Sequence, residues 1–183
     1  MWISVSLITE GDKDISQANY NPTWKLHRKL AFQSLRNFMT GDKLEVAVYD
    51  SFEKMATYLD KQSEPIGDMR RYLQFMMYST LSKICMSHEY DGINDEEFVA
   101  IQTAMDDVND VIFQGVLEDV FPYLLPIWKS QNYRKVERQA NLVSSILEKY
   151  VTEHSLSLDM NNPRNIVDHL LIAQKNIDKE DPK

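Results

Sequence analysis

Asn21-Pro22-Thr23-Trp24-Lys25-Leu26-His27-Arg28-Lys29-Leu30-Ala31 continues through Leu35-Arg36-Asn37-Phe38 without a further proline, and without a glycine until Gly41. Proline suits the first turn of a helix, where its missing N–H would bond nothing, and glycine suits the stop. The stretch Trp24 to Phe38 is therefore predicted to be helical. On a helical wheel Trp24, Arg28, Ala31, Leu35 and Phe38 share one face, at spacings of four, three, four and three. An arginine thus stands in the middle of a stripe expected to be buried. A guanidinium cannot shed its proton and is rarely buried without an anion. One turn earlier, Trp24 offers an indole N–H on the same side. Two donors a turn apart on an apolar flank suit a buried carboxylate or phosphate. An acidic side chain on a neighbouring helix would satisfy the arginine as well.

Outward from this helix, the pattern stays helical. Asp42 to Asp60 places Leu44, Val48, Phe52, Met55 and Leu59 at helical spacing, and Pro65 and Gly67 mark a break. Met69 to Met86 is apolar around much of its girth, as expected of a buried helix. Asn94 is expected to cap the next helix, with Glu97 reaching back, and Phe98, Ile101, Met105, Val108 and Ile112 form its stripe as far as about Gly115. Phe121-Pro122-Tyr123-Leu124-Leu125-Pro126-Ile127-Trp128 is intensely apolar but carries two prolines that forbid a regular helix. Lys129 to His154 is a long amphipathic helix bearing Tyr133, Val136, Ala140, Val143, Leu147 and Tyr150, and a last helix begins at Ile166 after Asn162-Pro163. Met1 to Asn19 is weakly patterned, a loop or short helix. Nothing alternates as a strand, and no repeat occurs. The expectation for 1–183 is an all-α segment.

Composition narrows the function classes. The net charge of −8 argues against general nucleic-acid binding, yet Ile15 to Gly41 contains no acid and holds Lys25, Arg28, Lys29 and Arg36. That window carries +4 and the rest of the chain −12. A basic patch on an acidic body is either a docking surface for something negative or a solvated helix face. Cys85 is the only cysteine, which excludes an internal disulfide framework. No apolar run is long enough to span a bilayer, and no signal peptide is evident in Met1 to Glu10.

The string Asn21 to Phe38, with its Trp-x-x-x-Arg at Trp24 and Arg28 set in Lys-Leu-His-Arg-Lys-Leu, resembles helix C of the cytochrome P-450 family, most of all the microsomal branch of steroid hydroxylases. The likeness extends onward. Phe98 to Trp128 resembles helix F and its following loop, Gln131 to His154 resembles helix G, and Asn165 to Asn176 resembles the segment before helix I. It implies a helical piece of that fold, from helix C to G/H, lacking the half that ligates haem. It also implies that Trp24 and Arg28 hydrogen-bond the haem propionates, and that Ile15 and Ser16 border the substrate. Met105, Val108, Asn109 and Ile112 would roof a pocket for a steroid-like or other lipophilic molecule, though ordinary core packing is the alternative for that stripe. Met105 stands where the steroid hydroxylases carry a substrate-binding asparagine, and Asn109 could supply a substitute donor. Lys25, Lys29 and Arg36 would lie on the surface where a flavoprotein reductase docks. Phe121 to Trp128 resembles a segment that dips into the membrane interface, a buried loop being the alternative, and the location implied is the cytoplasmic face of the endoplasmic reticulum.

Haem-thiolate chemistry needs a cysteine on iron, which favours O–O cleavage. Cys85, in Leu81-Ser82-Lys83-Ile84-Cys85-Met86, is in an apolar helical setting and is expected to be a packed core thiol. The family's cysteine loop, its helix I acid–threonine pair and its helix K Glu-x-x-Arg are not among these residues. The haem site is therefore incomplete, and these residues alone are expected to turn nothing over and to bind haem weakly at best. Other chemistries fare worse. His88-Glu89 opens like a zinc-protease motif, but Gly92 stands where the second histidine belongs. There is no Glu-x-x-His for a di-iron bundle, and Asp106, Asp107 and Asp110 read as a solvated face rather than a metal site. The alternative to a monooxygenase part is a non-catalytic helical module whose basic helix docks an acidic partner.

Overall fold

The computed structural model describes residues 3–11, 13–39, 42–62 and 67–180, for 37–39 and 178–180 by their backbone alone. Its helices are α1 (Ile3–Ile8), α2 (Pro22–Met39), α3 (Asp42–Asp60), α4 (Arg70–Met86), α5 (Glu96–Gln114), α6 (Leu117–Val120), α7 (Gln131–Leu156) and α8 (Ile166–Glu180), with a single 3-10 turn at Pro122–Leu124. Every regular element among the described residues is helical, as the sequence predicts. Gly41, Pro65 and the side chain of Phe38 lie outside the described residues. The chain divides into two compact units, one made of Met1–Arg28 with Ala100–Lys149, the other of Lys29–Val99 with Tyr150–Lys183.

In the first unit Val111, Val116, Tyr133 and Val136 form a core, against which Ile3, Leu7 and Leu125 pack. Asp107 on α5 accepts from Lys135 Nζ at 2.7 Å and from Gln139 Nε2 at 2.6 Å, tying α5 to α7. The start of α1 is held by Asp119, whose carboxylate accepts from the Ser4 amide at 2.8 Å and its hydroxyl at 2.5 Å. Helix α5 stops where Gly115 turns to φ +82°, a conformation costly for any residue with a Cβ. The buried side of α5 is Ala104, Val108 and Val111. Of the stripe read from the sequence, Met105 is exposed and Ile112 half-buried. Helix α5 carries apolar residues on two sides, and the side with Ala104, Val108 and Val111 is the one that is buried.

In the second unit α3 packs on α4. The buried side of α3 is Ala47, Ser51 and Met55, while the expected stripe members Val48 and Phe52 face outward. On α4, Phe75, Ser79 and Ser82 are buried, whereas Leu73, Met77 and Leu81 are exposed, so the helix is not enclosed all round. Small side chains let two helix backbones come close, which outweighs the larger apolar stripe in choosing the interface. Lys83 pairs with Asp50 and, at 2.7 Å, with Glu89, and Lys54 reaches Glu89 at 3.0 Å. Phe75 and Phe98 meet edge to face at 5.2 Å, with Tyr90 and Tyr78 also on Phe98. The cap of α5 is Asp95, not Asn94. Its carboxylate accepts from the amides of Glu97 at 2.9 Å and Phe98 at 3.0 Å, while the Glu97 side chain accepts from the Tyr150 hydroxyl. Asp95 is one residue nearer the helix, at the position whose carboxylate can reach those two amides.

The polar centre of this unit joins three helix ends. Asp168 is fully buried at the start of α8. It accepts from Arg164 Nε at 2.7 Å, Arg164 Nη2 at 3.0 Å and the Arg164 amide at 3.0 Å, and it lies 2.8 Å from His154 Nδ1. His154 Nε2 is 2.9 Å from the Met86 carbonyl at the end of α4. Asn165 caps α8, accepting the Asp168 amide at 2.9 Å, and donates to Ser87 Oγ at 3.0 Å. Ser87 is itself left-handed at φ 52°, an uncommon conformation for a residue with a Cβ. Burial works to raise the Asp168 carboxyl, but the hydrogen bonds from Arg164 and His154 outweigh it and hold it at about 2.

Because that folded value lies below the ordinary value of about 3.9 for an unfolded aspartate, Asp168 contributes stability that is complete above about pH 4 and fades as pH falls toward about 2. We expect Asp168→Asn to cost about 2 kcal/mol at neutral pH and to flatten the acid limb of a stability–pH curve measured by urea denaturation between pH 2 and 5. An acid limb as steep as that of the unsubstituted chain would contradict this assignment.

Candidate functional site

The first turn of α2 is organised by Asn21, whose side-chain oxygen accepts the Trp24 amide at 2.8 Å, with Pro22 in the first helical position. Trp24 lies half-buried with Tyr20 against it, ring centroids 5.4 Å apart. The Arg28 guanidinium sits over the Trp24 ring at 5.1 Å. On the other side, Lys25 sits over Tyr20 at 4.8 Å. Cations over electron-rich ring faces are attracted by the ring quadrupole, so the four side chains make one column.

Two features depart from the wheel. Arg28 is exposed rather than buried, as is Leu35 of the same stripe at 41%, while Ala31 is half-buried; Leu26 and Phe32, elsewhere on α2, are exposed too. A helix wheel identifies an apolar flank but not what covers it. The indole N–H, moreover, does not point with Arg28 toward a shared anion; it donates to the Ile15 carbonyl at 3.0 Å. Ile15 belongs to a tight turn in which the Asp14 carboxylate accepts from the Ser16 hydroxyl, the Ser16 amide at 3.2 Å and the Gln17 amide at 3.1 Å. Burial works to raise the Asp14 carboxyl, yet these hydrogen bonds prevail and keep it below the usual carboxylate range. No hydrogen bond or ion pair joins Arg28 to a carboxylate among the described residues. An acidic side chain is therefore not the partner of Arg28 within those residues.

The structure brings Trp24, Arg28 and Ile15 together, with Ser16 in the adjoining turn. On α5, Met105, Asn109 and Ile112 share a side that is open or half-open, and Phe113, 90% exposed, extends it. Val108 is turned away from them into the core. Phe113 escaped the sequence reading, although it stands one turn past Asn109. Lys25, Lys29 and Arg36 are exposed on α2. The Ile15 carbonyl could not have been found from the sequence, because a backbone acceptor leaves no residue signature.

The segment Phe121 to Trp128 is open to solvent, not a buried loop: Phe121, Tyr123, Trp128 and, at 85%, Ile127 are exposed. Its base is fastened by Glu118, fully buried, which accepts from the Ser130 amide and, at 2.7 Å, the Ser130 hydroxyl. Ser130 in turn caps α7, its hydroxyl accepting the Tyr133 amide at 3.1 Å. Phe121, Tyr123, Ile127 and Trp128 are therefore presented outward from a fastened base, while Leu125 packs against the core. Cys85 is half-buried within α4, and burial pushes its thiol up, away from thiolate character.

A porphyrin acid needs a cation or N–H donor beside an apolar surface, and Arg28, with no carboxylate partner among the described residues and Leu35 exposed on the same face of α2, fits that need. The family model described as cytochrome P-450 matches residues 2–183, and this chain belongs to the cytochrome P-450 family. The steroid 17-alpha-hydroxylase/17,20 lyase of Ictalurus punctatus is 25% identical over 94% of this chain and 33% of its own length. Cytochrome P-450 2U1 of Rattus norvegicus is 27% identical over 96% of this chain and 33% of its own. A solved zebra fish cytochrome P-450 structure with progesterone matches with a TM-score of 0.82 at 25% identity, covering 95% of this chain and 39% of that one. The chain thus spans about a third of the length of the curated relatives it matches.

Removing the Glu118 carboxylate leaves the buried Ser130 amide and hydroxyl without their acceptor. We expect Glu118→Ala to lower stability by about 2–3 kcal/mol and to raise protease cleavage within residues 121–129, read by urea denaturation and by mapping early tryptic and chymotryptic cuts. Unchanged cleavage there would show that Glu118 does not fasten the segment.

Proposed function

We propose that this chain forms the cofactor-anchoring and substrate-roof part of a haem-thiolate monooxygenase that hydroxylates a steroid-like or other lipophilic substrate. The observation that carries the reading is Arg28, a guanidinium over an indole, with Leu35 exposed on the same face of α2 and without a carboxylate partner among the described residues. Charge-assisted hydrogen bonds from a guanidinium to a carboxylate are strong and directional, and a porphyrin carries its acids at one edge of a flat apolar body. Haem bound through a cysteine thiolate supplies iron rich enough in electron density to favour O–O cleavage. The chain's own residues bind and orient. Arg28 holds an acid of the porphyrin, with Trp24 beside it, and Ile15 and Ser16 border the substrate. Met105, Asn109 and Ile112 on the open side of α5 roof it, with Asn109 as the polar contact, while Val108 supports that helix from within the core. Cys85 is not the axial ligand, given its place inside α4.

The relatives' names and the steroid in the solved structure support a lipophilic substrate. Lys25, Lys29 and Arg36 offer a positive surface to an acidic flavoprotein reductase, through long-range attraction that salt weakens. The outward apolar side chains of Phe121 to Trp128 rest in the interface of the endoplasmic reticulum membrane at its cytoplasmic face. No helix among the described residues is long and apolar enough to cross a membrane. A non-catalytic docking module is the weaker reading, because it leaves the family likeness over residues 2–183 without a role.

Haemin titrated into the chain, followed by Soret absorbance, should show weak saturable uptake that Arg28→Gln weakens at least about tenfold. A gene product that includes a cysteine ligand should give, when reduced under carbon monoxide, the Soret band typical of thiolate ligation. No haem uptake by that longer product would overturn the reading.

A further inference from the structure

The ring of His154 is held between two acceptors. Nδ1 lies 2.8 Å from the Asp168 carboxylate, and Nε2 lies 2.9 Å from the Met86 carbonyl. Neither acceptor brings a hydrogen of its own: a backbone carbonyl has none, and Asp168, despite its burial, is kept ionised by its hydrogen bonds. A neutral imidazole has one N–H and one bare nitrogen, so it serves only one of the two; an imidazolium serves both. Either neutral form would leave a bare nitrogen facing an oxygen at hydrogen-bond distance, in a site where His154 is 8% exposed and Asp168 fully buried.

The surroundings have the polarity that a cationic ring requires. His154 is in the last turn of α7 and Met86 ends α4, so two helix C-termini, with their unpartnered carbonyls and negative dipole ends, meet at the ring. The charged side chains that face it are Asp168 and Arg164. Arg164 Nη2 stands 3.1 Å from Nδ1, but Arg164 directs Nε and Nη2 to the Asp168 oxygens at 2.7 and 3.0 Å. Its side chain is 40% exposed, so water shares its charge. Asn165 Nδ2, 3.4 Å from Nδ1, donates to Ser87 Oγ. On α4, Lys83 is engaged by Asp50 and Glu89, and on α7, Tyr150, one turn before His154, bonds to Glu97.

We infer that His154 is a proton-operated clasp: as an imidazolium it joins the end of α4, the end of α7 and the start of α8, and on losing its proton it releases one of its two bonds. The stability of the doubly bonded ring belongs to the protonated form and is lost as pH rises, the opposite direction to Asp168, whose contribution fades as pH falls. Once Nδ1 has no hydrogen, Arg164 Nη2 is the donor placed to replace Asp168 as its partner, so a change of charge becomes a change of partner.

The test uses the 183-residue chain labelled with 15N, whose four histidine rings give long-range 1H–15N spectra that show which nitrogens carry hydrogen. Single Gln substitutions at His27, His88 and His169 assign the His154 signals by elimination, so the assignment does not depend on a His154 variant folding. At about pH 6, both ring N–H hydrogens of His154 should be visible together and slow to exchange with water. Where rising pH removes one of them, amide protection in the last turn of α7 and the first turn of α8 should fall at least about tenfold, after correction for the intrinsic pH dependence of exchange. The amide nitrogen of His154→Asn can stand in for Nδ1 against Asp168 but does not reach the Met86 carbonyl and does not titrate. That variant should show the lower protection throughout, with no step. A single visible N–H at about pH 6, or protection that stays constant when the ring loses its proton, would overturn the inference. So would a step that persists in His154→Asn, because His88 or His169 would then be its source.

Discussion

A carboxylate withdrawn from water must be surrounded by donors, or the helix that carries it cannot form. Among the described residues, each compact unit contains one such group. In the first, Glu118 is fully buried and bonded to the amide and hydroxyl of Ser130, at the threshold of α7. In the second, Asp168 is fully buried at the threshold of α8, bonded to Arg164 and facing His154. Helix starts have amides without partners inside the helix and a positive end of the helix dipole, which makes them the natural place to bury a negative charge. What each carboxylate organises differs. Glu118 anchors a loop that presents apolar side chains outward, whereas Asp168 gathers the ends of α4, α7 and the start of α8.

The cations follow the opposite logic. Lys83 is paired with Asp50 and Glu89, and Lys135 with Asp107, each bracing two elements of one unit. Arg28 is instead left at the surface over an aromatic ring, with no carboxylate among the described residues. Leu35, on the same face of α2, is likewise exposed. Exposed aromatic and aliphatic side chains on α2, on the open side of α5 and in Phe121 to Trp128 have the same character.

Much of this was legible in the residues. Six of the helices, α2 to α5, α7 and α8, and their approximate ends follow from apolar spacing and from the positions of proline and glycine, whereas the short α6 is not legible and α1 reads only as a loop or short helix; Pro22 and Gly115 stand where the sequence places a start and a stop. The pairing of Trp24 with Arg28 one turn on is also a matter of spacing alone. The choice among faces was not legible. On α3 the small Ala47 and Ser51 are buried in place of Val48 and Phe52, and on α5 Met105 turns outward while Ala104 turns in. Apolar spacing shows which faces can be buried, but closeness of approach to a particular neighbour determines which one is.

What the sequence determines by itself, then, is the helical class, the family likeness and the identity of the side chains on each turn of α2, because all of these depend on residues near one another in the chain. Tertiary structure alone decides that the indole of Trp24 serves the carbonyl of Ile15, that Arg28 stays open to solvent, and that His154, Arg164 and Asp168 converge on the end of α4. A backbone carbonyl looks the same at every residue. Whether a polar group finds its partner nine or sixty-eight residues away depends on how the helices pack, not on the spacing written along any one of them.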